Sequence, residues 1–290
     1  MGIIATNFNE QIELLKSRGM ELDYSEEKVK EFLLDIGYYR LGFYWNPFEI
    51  DNKHNFQKGT KFSDIIKLYY LDVDLRNLLS RYINRIEINF RAKIIYYVSN
   101  KFKGSPTWFF DPAIMMASFV SQPEKYYNSK FISNNKPIKM HHRKYINDKY
   151  APAWKTLEFF TFGTILTIYQ NIKDEGIKGR ISNVYGVRDV KKFINLMSNT
   201  LLIRNLCAHG DIMFDFRAPK GLSVIPDITF NKGDRNSLDA SIKVILYFLG
   251  KISINRQNDL GKELQVLFDK FNKNENLKKI IKEKINYLDI

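Results

Sequence analysis

The chain has 290 residues, 44% hydrophobic and 14% aromatic, enough to bury a sizeable core in one large domain or two small ones. Its net charge of +13 favours polyanionic partners through steering and counterion release, although its wealth of Lys, Asn, Ile, Tyr and Phe also fits AT-rich codons. A single cysteine, Cys207, excludes an intrachain disulfide and a thiolate zinc cluster and fits a reducing cytoplasm; no run reaches the ~18 apolar residues of a membrane span, and the opening MGIIATNFNEQIELL has neither the basic nor the apolar region of a secretory leader.

Helical periodicity dominates from the start. Phe8, Ile12 and Leu15 predict a short amphipathic helix that ends at Gly19. DYSEEKVKEFLLDIG predicts a second, with Ser25 as N-cap, acidic residues in the first turn and Gly37 as terminator. YYRLGFYWNPFEI then crowds Tyr38, Tyr39, Phe43, Tyr44 and Trp45 ahead of a proline with neither alternation nor a clean helical period, and reads as a turn or irregular platform. The longest signal, residues 62–100, recurs through Leu68, Leu71, Leu75, Leu79, Ile83, Ile86, Phe90, Ile94 and Val98 on one helix face. Ser63 or Asp64 can cap its start, and a break near Asp72 is possible but not required.

Residues 103–152 carry Pro106, Pro112, Pro123 and Pro137 and read as short helices joined by loops. Helices return in APAWKTLEFFTFGTILTIYQNI and in VRDVKKFINLMSNTLLIRNLCAHG. A Pro-, Gly- and Asp-rich loop follows, within which LSVIPDITF is the one strand candidate, demoted by Pro226. SLDASIKVILYFLGKIS and two stretches near 258–272 and 275–287 close the chain as helices. The class is all-α: an N-terminal helical and aromatic accessory region, residues 1–62, precedes a helical domain, residues 63–290, and a single compact unit is the alternative.

The stretch TLLIRNLCAHGDI places Arg204, Asn205 and His209 at the end of an apolar helix. An imidazole moves protons near neutral pH, and a guanidinium clamps phosphate oxygens through parallel N–H bonds. Together they suit cleavage of an RNA phosphodiester without a metal, and no His–Cys cluster or paired-carboxylate motif with ligand spacing is present. On an ideal helix, residues five apart lie about 140° around the axis, so Arg204 and His209 do not share a face. The length of arginine, a helix end at Gly210, or a second copy in a two-fold dimer each relieves that objection. Asn205 and His209, four apart, do share a face, so Asn205 can orient the imidazole or a phosphate oxygen. The bland reading remains open: the histidine bonds free carbonyls at a C-terminus while the arginine reaches solvent.

Other candidates surround this motif. NRIEINFR places Arg85, Glu87 and Arg91 near one another on the long helix. Glu87 and Arg91 form an acid-first pair four apart, so the set reads as a packing ion pair, as RNA contacts through Arg85 or Arg91, or as Glu87 orienting Arg204. Glu158 sits among aromatics and needs a cation. Arg40 within YYRLGFYW combines a cation with stacking rings, which suits single-stranded RNA or packing of the N-terminal part. KMHHRKY offers His142 and Arg143 as phosphate contacts or a surface loop, and its adjacent histidines make a poor metal site. Cys207 reads as a small buried filler.

LLDIGYYRLGFYWNPF (33–48), the tract 56–94, APAWKTLEFFTFGTILTIYQNI (151–172) and LLIRNLCAHGDIMF (201–214) resemble, in order, the Abi-like family of bacterial abortive-infection proteins, the AbiD/AbiF group. Phe43 stands where the family often has a glycine before its Tyr-Trp pair. The tail after about residue 235 carries no motif of the family. That family looks like part of the HEPN superfamily, whose Arg-x4–6-His motif implies a helical bundle, a dimer and a metal-independent endoribonuclease site. By position, Arg204 and His209 match the motif arginine and histidine, and Asn205 the polar residue after the arginine. The resemblance implies products with 2′,3′-cyclic phosphate and 5′-hydroxyl ends, no cofactor, an RNA substrate, a homodimer and, in some members, a small structured RNA antitoxin. The expected function is a cytoplasmic, toxin-like antiphage ribonuclease. The alternative is a non-catalytic module that holds a structured RNA. Nucleotidyl transfer is weaker still, for want of a carboxylate set to hold a metal.

Overall fold

Several helix starts are written into the local sequence, as the computed structural model, which describes residues 4–288, shows. The helices are α1 (Phe8–Ser17), α2 (Glu26–Asp35), α3 (Tyr38–Trp45) and the 40-residue α4 (Phe62–Lys101); then the short α5 (Ala117–Val120), α6 (Pro123–Tyr126), α7 (Ser129–Asn134), α8 (Lys136–Lys144) and α9 (Ala153–Thr156). After these come α10 (Phe162–Asn171), α11 (Glu175–Val184), α12 (Val190–His209), α13 (Leu238–Ile252), α14 (Ile254–Asp269) and α15 (Glu275–Ile280), which ends in a π-turn over Ile281–Ile285. Among the described residues there is no strand, only the isolated bridges Glu21–Lys61, Glu49–Phe56 and Met115–Ile172. The fold is all-α. LSVIPDITF is loop.

Asn7 opens α1 with a reciprocal capping box: its side chain accepts from the Glu10 N–H at 3.0 Å, and Glu10 accepts from the Asn7 N–H at 2.8 Å. Ser25 accepts from the Lys28 N–H, as expected of the N-cap of α2. The start of α4 differs from expectation. The helix begins at Phe62, which puts Ser63 and Asp64 inside it, and a cap comes from far back in the sequence: Asp23, in the connection between α1 and α2, accepts from the Ser63 N–H at 2.9 Å. α4 then runs unbroken through Asp72.

The tract 38–45 corrects the reading of an irregular platform: it is helix α3. Gly37, at φ 92°, lets the chain leave α2 and turn straight into it. Leu41, Tyr44 and Trp45 are buried at helical spacing, while Tyr39 and Phe43 are exposed at 75% and 40%. Apolar residues on both faces hide the period.

The described residues sort into two compact units, the first from Met1–Leu78, Leu206–Arg217 and Lys262–Ile290, the second from Leu79–Asn205 and Ala218–Gly261. The first has its core around Tyr44, Phe214 and Leu75, with Tyr44 and Phe214 ring centroids 5.5 Å apart and Phe268 stacked on Tyr287. In the second, Phe90 is ringed by Phe162, Tyr169, Tyr185 and Phe193 at centroid distances of 5.4–6.5 Å. Among the described residues no helix is long and apolar enough to cross a membrane.

Candidate active site

The end of α12 is fixed by its own backbone. Gly210 adopts φ 69°, the Asp211 N–H donates to the Leu206 carbonyl at 3.0 Å and the Gly210 N–H to the Cys207 carbonyl. This is a Schellman cap with Gly210 in the left-handed position. His209 is the last helical residue and exposed, and among the described residues its ring has no hydrogen-bond partner.

Two guanidinium groups of the first unit hold the turn that follows. Arg40, from α3, donates to the Gly210 carbonyl, and Arg76, from α4, donates to the Asp211 carbonyl at 2.9 Å. Cations there complement the negative end of the helix dipole. Asp72 completes the clamp. It is fully buried, accepts from the Phe214 N–H at 2.8 Å and the Met213 N–H at 3.1 Å, and is paired with Arg76 at 2.5 Å and with the Tyr44 hydroxyl at 2.9 Å. Burial pushes the Asp72 carboxyl up, and the Arg76 guanidinium with the surrounding donors opposes it. Burial also raises the Tyr44 hydroxyl, which keeps it protonated as the donor.

In this way Arg40 and Tyr44, one turn apart on α3, grip the segment after the Arg-x4-His motif. Arg40 thus ties α3 to the end of α12. Asp72, Arg76 and Tyr44 were not singled out from the sequence. The signal was there in an acidic residue inside an apolar helix with arginine four residues later.

In the second unit, Arg204 projects with its side chain 38% exposed, its Nε 3.7 Å from Glu87 Oε2. Its guanidinium also lies 3.4 Å from the Asn205 side-chain oxygen. Glu87 is buried, and its other oxygen accepts from Arg91 at 2.9 Å. Arg91 in turn donates to the Phe160 carbonyl at 3.0 Å and lies 3.7 Å from Glu158. Glu158, expected to need a cation because it sits among aromatics, is 54% exposed in its side chain, so burial does not impose that need.

Three expectations are corrected. Arg91 is buried and committed to protein partners, so it is not an RNA contact. Arg85 does not join Glu87 and Arg91. Two residues apart on a helix are about 200° around the axis, and Arg85 is exposed on the far face of α4. KMHHRKY is not a surface loop: α8 covers 136–144, His141 is buried against Asp148 at 3.0 Å, and His142 is tied to the Tyr127 hydroxyl at 2.7 Å. Arg143 remains exposed. Among the described residues no three His, Cys, Asp or Glu side chains group to hold a metal ion.

Cys207 is half-buried with its Sγ 3.6 Å from the Met213 sulfur, and burial pushes its thiol up to about 12. It is a filler, not a nucleophile.

No curated protein and no solved structure matches the chain. A family model described as Abi-like protein matches residues 31–215, a span that holds α3, the clamp of Asp72 and Arg76, the Glu87 pair and the whole of α12. That match covers more than half of the sequence, and the chain belongs to the Abi-like protein family.

Proposed function

We propose that this protein is a metal-independent endoribonuclease of the HEPN type, acting as a toxin-like effector in the abortive-infection role that its family points to. One observation carries the reading: each of the motif's two chemical groups is accessible. In the first unit His209 is exposed at the helix cap with no hydrogen-bond partner among the described residues, and in the second Arg204 is half-exposed with its Nε 3.7 Å from Glu87.

In the reaction the RNA 2′-oxygen attacks the adjacent phosphorus and the bond to the 5′-oxygen breaks. The products are a 2′,3′-cyclic phosphate and a 5′-hydroxyl. His209 takes the 2′-hydroxyl proton or supplies the one that the leaving 5′-oxygen needs. Arg204 stabilises charge on the phosphorane oxygens, and Glu87 positions it from behind. Asn205 steadies the guanidinium or a phosphate oxygen. A second copy of the chain supplies the complementary pair, since 140° on one helix separates Arg204 from His209. The +13 surface holds the RNA backbone in a salt-dependent manner.

The test is cleavage of RNA in EDTA by the purified protein and by a His209→Ala variant. We expect cyclic-phosphate products from the wild type and a loss of about 10²- to 10⁴-fold in the variant. Intact RNA with the wild type, alongside unaltered RNA affinity in the variant, replaces this reading with that of a binding module.

A further inference from the structure

We propose that a groove on the second unit, bounded by Tyr96 of α4 and Trp154 of α9, seats one unpaired RNA base, and that Glu158 makes it select guanine. The proposal rests on the ribonuclease reading only for RNA being the ligand.

The groove has a volume of about 350 Å³ and a floor of Ala92 and Ile95. That is the small end of the ~300–1,000 Å³ range of ligand sites, suited to a nucleoside and not to a folded partner. Its two aromatic rims are open: Tyr96 is 62% and Trp154 50% exposed, whereas Trp45 and Trp108 are 4% and 0% exposed. Among the described residues Trp154 has no ring neighbour. Exposed aromatic faces are what single-stranded RNA bases stack upon.

Charge identifies which part of a nucleotide fits. Glu158 lines the groove, and a carboxylate there repels a phosphate. Its Oε2 lies 3.7 Å from the buried Arg91, and among the described residues its Oε1 has no hydrogen-bond partner. Of the polar groups lining the groove, Ser99 accepts from the Trp108 indole and one Asn100 N–H donates to the Tyr96 carbonyl. Glu158 is the one lining group that carries a charge, and a carboxylate only accepts hydrogen bonds. Guanine alone offers two adjacent donors, N1–H and the 2-amino group, to one carboxylate. Adenine and cytosine offer a single amino group, and uracil an N–H flanked by two carbonyls. The groove also joins the candidate site through one chain of contacts within the unit: Glu158 to Arg91 at 3.7 Å, Arg91 to Glu87 at 2.9 Å, Glu87 to Arg204 at 3.7 Å.

Tryptophan fluorescence of the full-length protein tests this, because Trp154 is the exposed indole. Titration with GMP, AMP, CMP and UMP is run on the wild type and on His209→Ala, which removes the chemistry and leaves the groove. Saturable quenching by GMP is expected, at least fivefold tighter than by UMP, in both proteins. Trp154→Phe abolishes the signal. Tyr96→Ala weakens all four nucleotides by about 5- to 100-fold, the range for loss of one stacking partner. Glu158→Gln erases the guanine preference, with circular dichroism confirming that each variant is folded. Equal quenching by all four nucleotides, a guanine preference that survives Glu158→Gln, or an emission shift that follows protein concentration instead of nucleotide overturns the proposal. Guanine binding without RNA cleavage sinks the ribonuclease reading and leaves the groove; cleavage without guanine binding does the reverse.

Discussion

Helix α4 carries the same device twice, Asp72 with Arg76 and Glu87 with Arg91, each an acid four residues ahead of an arginine. Their surroundings turn the two pairs to different ends. Asp72 has every oxygen lone pair occupied inside the first unit, by a guanidinium, a phenol and two backbone N–H groups. Glu87 divides its oxygens between a buried arginine and the half-exposed Arg204. A closed network fixes backbone. An open one leaves a cation held on one side and free on the other, which is what a phosphate-binding group requires.

The comparison breaks most readily at Asp72. Asp72→Ala strands the buried Arg76 charge and orphans the Met213 and Phe214 N–H groups. We expect a loss of about 3–5 kcal/mol in denaturant unfolding. A midpoint within experimental error of the wild type shows that the clamp contributes nothing to the fold. Glu87→Gln is the matched change. Arg91 keeps the Phe160 carbonyl and Glu158, so the stability loss is smaller, about 1–3 kcal/mol. On the proposed ribonuclease reading, RNA cleavage falls by about 10- to 100-fold, in kcat more than in KM, because Arg204 loses its alignment and not its charge. Equal losses of stability with unaltered kcat erase the distinction between the two pairs.

These differences explain what was legible in the sequence. The helical class, the unbroken α4, the end of α12 at Gly210 and the Ser25 cap follow from local signals: period, cap residues and a glycine at positive φ. The motif Arg204, Asn205 and His209 is visible because cation, amide and imidazole are out of place at the end of an apolar helix. What was not legible depends on partners distant in sequence. Arg40 meets a carbonyl 170 residues away, and Asp72 meets N–H groups more than 140 residues on, so no window of sequence shows either role. Arg85 was misplaced for the opposite reason: adjacency in sequence was allowed to stand for adjacency in space, and the helix puts it on the other face. α3 was missed because its outward rings mask the buried period of Leu41, Tyr44 and Trp45.

The smallest effect sharpens the comparison from inside the Asp72 region. Burial moves the Cys207 thiol from 9.0 to about 12, with the Arg76 guanidinium pulling the other way. At pH 8 the folded protein then holds about one thiolate in 10⁴, against about one in 10 for the unshifted group, so labelling by a thiol reagent is slowed roughly 10³-fold relative to the unfolded chain. The sign of the linked stability follows. Above pH 9 the unfolded thiol has released its proton and the folded one has not, so the unfolded state binds fewer protons and stability falls as pH rises. The fall is at most about 1.4 kcal/mol per pH unit, is absent below pH 9 and ends near 12. It is measured as the difference between wild type and Cys207→Ala, so that lysines and tyrosines titrating in the same window cancel. Because the inertness of this thiol depends on the packing that Asp72 closes, Asp72→Ala accelerates its labelling at pH 8, whereas Glu87→Gln leaves the rate as it was. Fast labelling of the native wild type contradicts the closed network directly, and equal acceleration by both variants shows that the two pairs on α4 do not serve separate ends.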